Sequence, residues 1–191
     1  DYGSSSFDVR HNFSAALSYA LATATKYSLR NLVTRDWSFD AVIVARTGFP
    51  FNATIQSGAL AGANPRPDRV PGQPLWISNS FAGGAKSLNP LAFSAPATVR
   101  EGTERRNDIP GFGMAQADLS VARKFPLTER ISLQFRTDAF NSLNHPNFTN
   151  PYGYIGLGSA FLESPSTLNQ GLGGLNPLFQ AGGPRSLQLS F

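Results

Sequence analysis

The chain has 191 residues, of which 15% are charged where roughly 25% is usual for soluble domains, while Gly (18), Pro (14) and Phe (15) are abundant. Apolar residues at 41% do not account for the deficit; small neutral polar residues stand in for Lys, Arg, Asp and Glu, as expected if much of the surface faces something other than water. A long soluble helix bundle is excluded, and a net charge of +4 without a basic block leaves no footprint for nucleic acid.

The opening Asp-Tyr-Gly-Ser-Ser-Ser reads as the tail of a loop entering a strand. From Phe7 the chain alternates with period two: Phe7, Val9, His11, Phe13, Ala15, Leu17, Tyr19 and Leu21 on one face, Asp8, Arg10, Asn12, Ser14, Ala16, Ser18 and Ala20 on the other. Ala22 to Asp36 is an intermediate connection. A second run carries Trp37, Phe39, Ala41, Ile43, Ala45, Thr47, Phe49 and Phe51 against Ser38, Asp40, Val42, Val44, Arg46 and Gly48. Ser57 to Gly113 follows, rich in Gly, Pro and Asn, with no sustained periodicity.

The third run sets Ala117, Leu119 and Val121 against Gln116, Asp118, Ser120, Ala122 and Lys124. After the tight connection Pro126-Leu127-Thr128-Glu129-Arg130, the fourth sets Ile131, Leu133, Phe135, Thr137 and Ala139 against Ser132, Gln134, Arg136 and Asp138. A second long segment, Asn141 to Gly183, leads to the fifth run, Leu187, Leu189 and Phe191 against Ser186, Gln188 and Ser190. Five strands with alternating faces, joined by connections that alternate short and long, form the pattern of a transmembrane β-barrel. A soluble sandwich also alternates, but Phe39 to Phe49 is ten steps of about 3.4 Å, roughly 26 Å at a tilt of about 40°, which matches a membrane band of about 25 Å. Asp8, Arg10, Asp40, Arg46, Asp118, Lys124, Arg136 and Asp138 all fall on the polar face; only Arg123 and Arg185 share the apolar phase, each near a strand end from which it can snorkel.

Five strands cannot close, since barrels of this kind begin at eight and an open edge in lipid leaves unpaired N–H and C=O groups. The chain is therefore expected to be one part, residues 1–191, of a single larger barrel domain. With the chain ends and short turns on the periplasmic side, parity puts Ser57 to Gly113 and Asn141 to Gly183 outside the cell.

The stretches FDVRHNFSAALSYAL, WSFDAVIVARTGFPFN, RPDRVPGQPL, LNPLAF, DLSVARKFPLTERISLQFRTDAFNSLNHPNF and RSLQLSF resemble, in this order, the C-terminal part of the barrel of TonB-dependent outer-membrane receptors. The Oar-like branch, with its carboxypeptidase-regulatory-like domain, is the nearest in pattern, and the most specific block is Asp118 to Phe148. The resemblance implies a fold of about five C-terminal strands of a 22-stranded barrel, with plug and N-terminal domains lying outside this chain. It implies import of a scarce nutrient such as a siderophore or oligosaccharide. The implied partners are outer-membrane lipid, the rest of the barrel and its plug, the TonB complex, and the barrel-assembly machinery, which reads a terminal strand such as that of Leu187, Leu189 and Phe191. A passive porin or adhesive barrel, and a soluble carbohydrate-binding sandwich, are the alternatives.

No enzymatic constellation is present: there is no G-x-S-x-G, H-E-x-x-H or Walker loop, and Gly171-Leu172-Gly173-Gly174 lacks the strand-then-helix context of a phosphate cradle. No cofactor or metal site is expected. Without Cys there is no disulfide or thiolate chemistry. His11 reads as interfacial and His145 as turn chemistry. The N-x-S/T triplets at Asn12, Asn52 and Asn147 are dismissed as glycosylation sites because two fall within or close to strands. Candidates for ligand contact are Arg46, Arg136 and Asp138 on the lumen face, and Trp76 and Arg105 in the first long loop. Trp76, Phe81 and Phe93 either pack that loop or line a ligand site, and its charged residues are expected to be solvated.

Overall fold

The computed structural model describes residues 2–21, 35–55, 65–157, 159–169 and 181–191. The expected intermediate connection Ala22 to Asp36 and the Gly171–Gly174 segment lie largely or wholly outside the described residues. The chain divides into two compact units.

One unit (Phe13–Ala45, Ala115–His145, Asn169–Phe191) is built on a five-stranded sheet in the order β1 (Asn12–Ala20), β2 (Trp37–Arg46), β7 (Met114–Pro126), β8 (Ser132–Phe140), β9 (Ser186–Ser190). The five long strands are thus neighbours in chain order, an up-and-down meander. The sheet is open, with β1 and β9 as its edges. The β7–β8 hairpin turns where expected. The nitrogens of Leu127 and Thr128 both donate to Ile131 O (2.9 and 3.0 Å), and the Thr128 hydroxyl accepts from the nitrogens of Arg130 (3.3 Å) and Ile131 (3.1 Å). Pro126 is the last residue of β7, where a missing N–H costs least.

Register carries the two phases across the sheet. Leu119 pairs with Ala139 and Ala139 with Leu187; Val121 pairs with Thr137 and Thr137 with Leu189. In the other phase Ser120 pairs with Asp138 and Asp138 with Gln188, and Ala122 pairs with Arg136 and Arg136 with Ser190. Because the side-chain period is two, a slip of one residue would put every polar group on the apolar face.

Several strand boundaries differ from the sequence expectation. The first strand starts at Asn12 rather than Phe7, because Ser5 turns the chain: its hydroxyl accepts from Phe7 N (3.3 Å) and its carbonyl from Asp8 N (3.0 Å). β2 ends at Arg46 rather than Phe51, so it spans nine steps, roughly 23 Å at the same tilt. Beyond it, Thr47 N donates to His11 O (2.9 Å) and Phe51 N to Ile109 O (3.0 Å), and a Cβ at Gly48 would run into the backbone of Gly111. β7 is longer than expected, at 13 residues.

The other unit (Asp1–Asn12, Arg46–Met114, Pro146–Leu168) draws on both long connections. The absence of sustained periodicity does not make them structureless. β3 (Asp68–Arg69) pairs with β6 (Phe93–Ser94), β4 (Trp76–Ser78) with β5 (Lys86–Leu88), and all four strands are too short for periodicity to register. Their core is Ala53, Leu88, Ala92, Phe93, Ile109 and Phe161, with Phe51, Leu75, Trp76, Ile155 and Leu162 packed against it. Phe93 and Phe161 meet edge to face at 5.8 Å, so the two long segments share one core. Phe81 is 98% exposed and takes no part in the cluster it was expected to join. Asn147 is 1% exposed, which agrees with its dismissal as a glycan acceptor.

Candidate functional site

On β7 the sheet covers its polar phase and exposes part of its apolar one: Gln116, Ser120 and Ala122 are buried, whereas Leu119 is 47% exposed. On β8 and β9 Leu133, Leu187 and Leu189 are all exposed, and so are Ser132, Gln134, Arg136 and Gln188 of the polar phase. A soluble sheet does the reverse of β7, because exposing apolar area to water costs about 25 cal/mol per Å². On β1 every residue is exposed, so the alternation seen in its sequence has no counterpart in burial.

The sheet carries two separate groups of side-chain hydrogen bonds, one between β1 and β2 and one around Asp118. The Ser18 hydroxyl donates to Asp40 Oδ1 at 2.6 Å. Gln116 Nε2 donates to both carboxylate oxygens of Asp118 (2.8 and 2.9 Å), and Asp118 Oδ1 also accepts from Asn141 N (2.8 Å). Gly182 N donates to Gln116 Oε1, and Asn141 Nδ2 to His145 O (2.9 Å) and Gly183 O (2.8 Å). Asn141 has a positive φ of 45°, tolerated by Asn better than by most residues, and its Oδ1 accepts from His145 N (3.0 Å). These bonds tie the strand ends of β7 and β8 to the chain entering β9.

Of the ligand-contact candidates, Arg136 and Asp138 meet: Arg136 Nε donates to Asp138 Oδ1 at 2.8 Å and Oδ2 at 3.1 Å, the pairing that two residues of one strand and one phase permit. The other three lie in the loop-built unit and are not brought together by any contact among the described residues. The Arg46 guanidinium lies 4.2 Å over the Phe49 ring. Trp76 stands edge-on to Phe112 (5.4 Å) and Phe51 (6.4 Å), with Lys86 Nζ 4.4 Å from its ring centre, so its faces are engaged in packing. Arg105 is exposed. Leu187, Leu189 and Phe191 are 71%, 61% and 86% exposed along the β9 edge.

The charges of the first long loop are not all solvated, contrary to expectation. Arg100 grips Asp68 with two bonds, Nη1 to Oδ1 (2.8 Å) and Nη2 to Oδ2 (2.7 Å), and Thr103 N donates to Asp68 Oδ1 (2.9 Å). This holds the Asp68 carboxyl below its usual range. Arg69 donates to Ala92 O (2.9 Å) and Gln73 O (2.7 Å), leaving its Nε 3.9 Å from Glu104 Oε2. Glu104 is buried and its oxygens accept no hydrogen bond among the described residues. Burial first, and Asp108 second, push the Glu104 carboxyl up, against the pull of Arg69 and Arg66. Burial likewise lowers Lys86, held 4.6 Å over Phe112. Glu104 and Lys86 had no periodicity to mark them; only their contacts single them out.

The two carboxyls give the loop an opposed pH dependence. Raised in the folded state, Glu104 keeps its proton when the unfolded chain has lost it, so its ionisation destabilises the fold as pH rises through the raised value. Asp68 is depressed and its contribution is lost as pH falls through that lower value. Hydrogen-exchange protection at Val70 N and Asn89 N is therefore expected to be greatest near the ordinary carboxylate value of about 4, falling on the acid side as Asp68 is protonated and on the alkaline side as Glu104 ionises. A monotonic rise to neutrality would remove Glu104 from this account.

An open antiparallel meander whose long strands alternate apolar and polar residues, with long connections at one end, has the architecture of an outer-membrane β-barrel wall. The chain belongs to the outer membrane beta barrel domain family, whose model matches residues 1–188. No curated protein and no solved structure matches it. Its role is that of barrel wall, and its location an outer membrane. Among the described residues no helix is long and apolar enough to cross a membrane, and none of their acidic and His side chains are grouped to hold a metal.

Proposed function

We propose that the chain is the C-terminal wall and two extracellular loops of a TonB-dependent receptor that imports a scarce nutrient such as a siderophore or oligosaccharide. The observation that carries this reading is the ordered series of motifs, above all the block Asp118 to Phe148, which forms β7, the Pro126 turn, β8 and the Asn141–His145 turn without interruption. The open edges of the sheet support completion by further strands of the same barrel, since an unpaired edge is not tolerated in lipid. On this reading the chain has no enzymatic role. A TonB complex acts through an N-terminal part, the assembly machinery acts on β9, and the host is a Gram-negative-type bacterium.

Growth tests the transport assignment. A strain lacking the receptor and one lacking TonB are expected to fail on the same limiting iron or carbon source. A receptor phenotype that persists unchanged without TonB would favour the porin, and no growth phenotype with impaired surface attachment would favour the adhesive barrel. Orientation is tested separately by a protease site inserted between Glu129 and Arg130 of the full-length protein. Protease added to intact cells is expected to leave it uncut, and cleavage would reverse the strand directions.

A further inference from the structure

We propose that residues 100–104 form a latch in the first long loop, closed while the Glu104 carboxyl carries a proton and released when it loses it. The device lies outside the transport reading and does not depend on it.

The strap formed by these residues runs beside residues 66–69 and is held there by polar bonds. Gly102 N donates to Arg66 O (2.9 Å), Glu104 N to Pro67 O (3.0 Å) and Thr103 N to Asp68 Oδ1 (2.9 Å). In the other direction Arg66 N donates to Glu101 Oε2 (3.0 Å) and Arg69 N to Thr103 Oγ1 (2.9 Å), and the Arg100–Asp68 pair ties the start of the strap. The seat is close, since a Cβ at Gly102 would run into the backbone of Arg66 and Pro67. None of the six core residues around Leu88 belongs to the strap, so it can leave without opening that core.

Glu104 is at odds with this seat. Its side chain is 1% exposed, and among the described residues neither oxygen accepts a hydrogen bond. The cations that face it are engaged elsewhere. Arg69 donates to Ala92 O and Gln73 O, which leaves its Nε 3.9 Å from the carboxylate, and Arg66 Nε lies 3.5 Å from Glu101 Oε2. Asp108 adds like charge from beyond the strap, and Arg105 and Arg106 are exposed. Asp68, Arg100 and Glu101 are paired within the strap and its seat. β6 carries no charge, and the sequence of residues 56–64, which precede Pro65, contains no ionisable side chain.

A neutral carboxylic acid tolerates such a place far better than a carboxylate, because burying a charge without donors costs much more than burying a neutral polar group. Burial accordingly raises the Glu104 carboxyl. The closed strap therefore loses stability as pH climbs from the ordinary glutamate value of about 4.3 through the raised one, and levels off above it. Loss of the Asp68 charge loosens the strap only on the acid side, outside this window.

Hydrogen exchange of the full-length protein between about pH 5 and 8, corrected for the intrinsic rate, tests the latch. Protection at Gly102 N and Glu104 N is expected to be lower than at Asn89 N throughout, and to fall severalfold as pH rises. Glu104→Gln, which keeps the neutral form, is expected to hold the strap at the upper pH as the wild type does at the lower. Gly102→Ala is expected to free the strap at every pH and, because Glu104 is then solvated from the outset, to abolish the pH dependence at Asn89 N in this range. Strap protection that does not change with pH in the wild type overturns the proposal without recourse to any variant. A pH dependence that survives in Glu104→Gln overturns it too, as does loss of strap protection in that variant at both ends of the range. Equal protection of the strap and Asn89 N would mean that the strap opens only with the whole unit, and there would be no latch.

Discussion

Ile43→Arg is expected to destabilise the folded barrel by about 2–4 kcal/mol, and Val44→Arg by much less. Ile43 is 45% exposed near the middle of β2, in phase with Trp37 and Phe39; Val44 belongs to the opposite phase, with Ser38, Asp40 and Arg46. A guanidinium at Ile43 enters hydrocarbon near the bilayer midplane, too far from either interface for its stem to reach water, whereas at Val44 it enters an aqueous lumen lined by charge. Both variants are made in the full-length protein and compared by the heat-modifiable band of outer-membrane preparations on a gel. Equal loss of the folded band would mean that both faces of β2 are buried in protein, and the sheet would have to be reassigned to a sandwich.

Leu88→Ala is expected to open the loop-built unit, at a cost of about 2–5 kcal/mol for a fully buried leucine. Leu88 is wholly buried at the end of β5, in the same cluster as Ile109, Phe93 and Phe161. Among the described residues that core contains six buried hydrophobic residues, two of them alanines, so little other apolar burial there is available to offset the cavity. Limited proteolysis of the folded receptor should cut Leu88→Ala within residues 65–113 much faster than wild type while the heat-modifiable band survives. Leu91→Ala, at a site 69% exposed, is the control and should behave as wild type within about 0.5 kcal/mol. Equal cleavage of the two variants would show that the cluster does not hold the loops.

The phases of the five long strands were legible in the sequence, and with them the tight turn after Pro126, because each depends on residues only a few positions apart. Strand ends were less legible. The alternation of Phe7 to His11 and Thr47 to Phe51 continues the pattern of β1 and β2, yet the chain there turns on Ser5 or bonds to Ile109 instead of a neighbouring long strand. Pattern records what a segment is able to bury; pairing decides whether it does.

Tertiary structure alone decided the loops. Asn107 donates to Ser4 O (2.7 Å), Asn150 to Phe49 O (2.9 Å) and Asn79 to Glu163 Oε1 (2.9 Å), contacts spanning 103, 101 and 84 residues of chain. Such contacts leave no period in the sequence, since the residues they join lie outside the strands. The fold likewise leaves Phe81 outside the expected cluster, buries the Glu104 carboxyl expected in solvent, and engages Trp76 with Lys86 and Phe112. The sequence by itself determined which face of each long strand is apolar, because a two-residue period is a local property of the backbone. Which loop residues are buried, paired or exposed was decided only by the fold, because burial depends on what distant segment arrives to cover them.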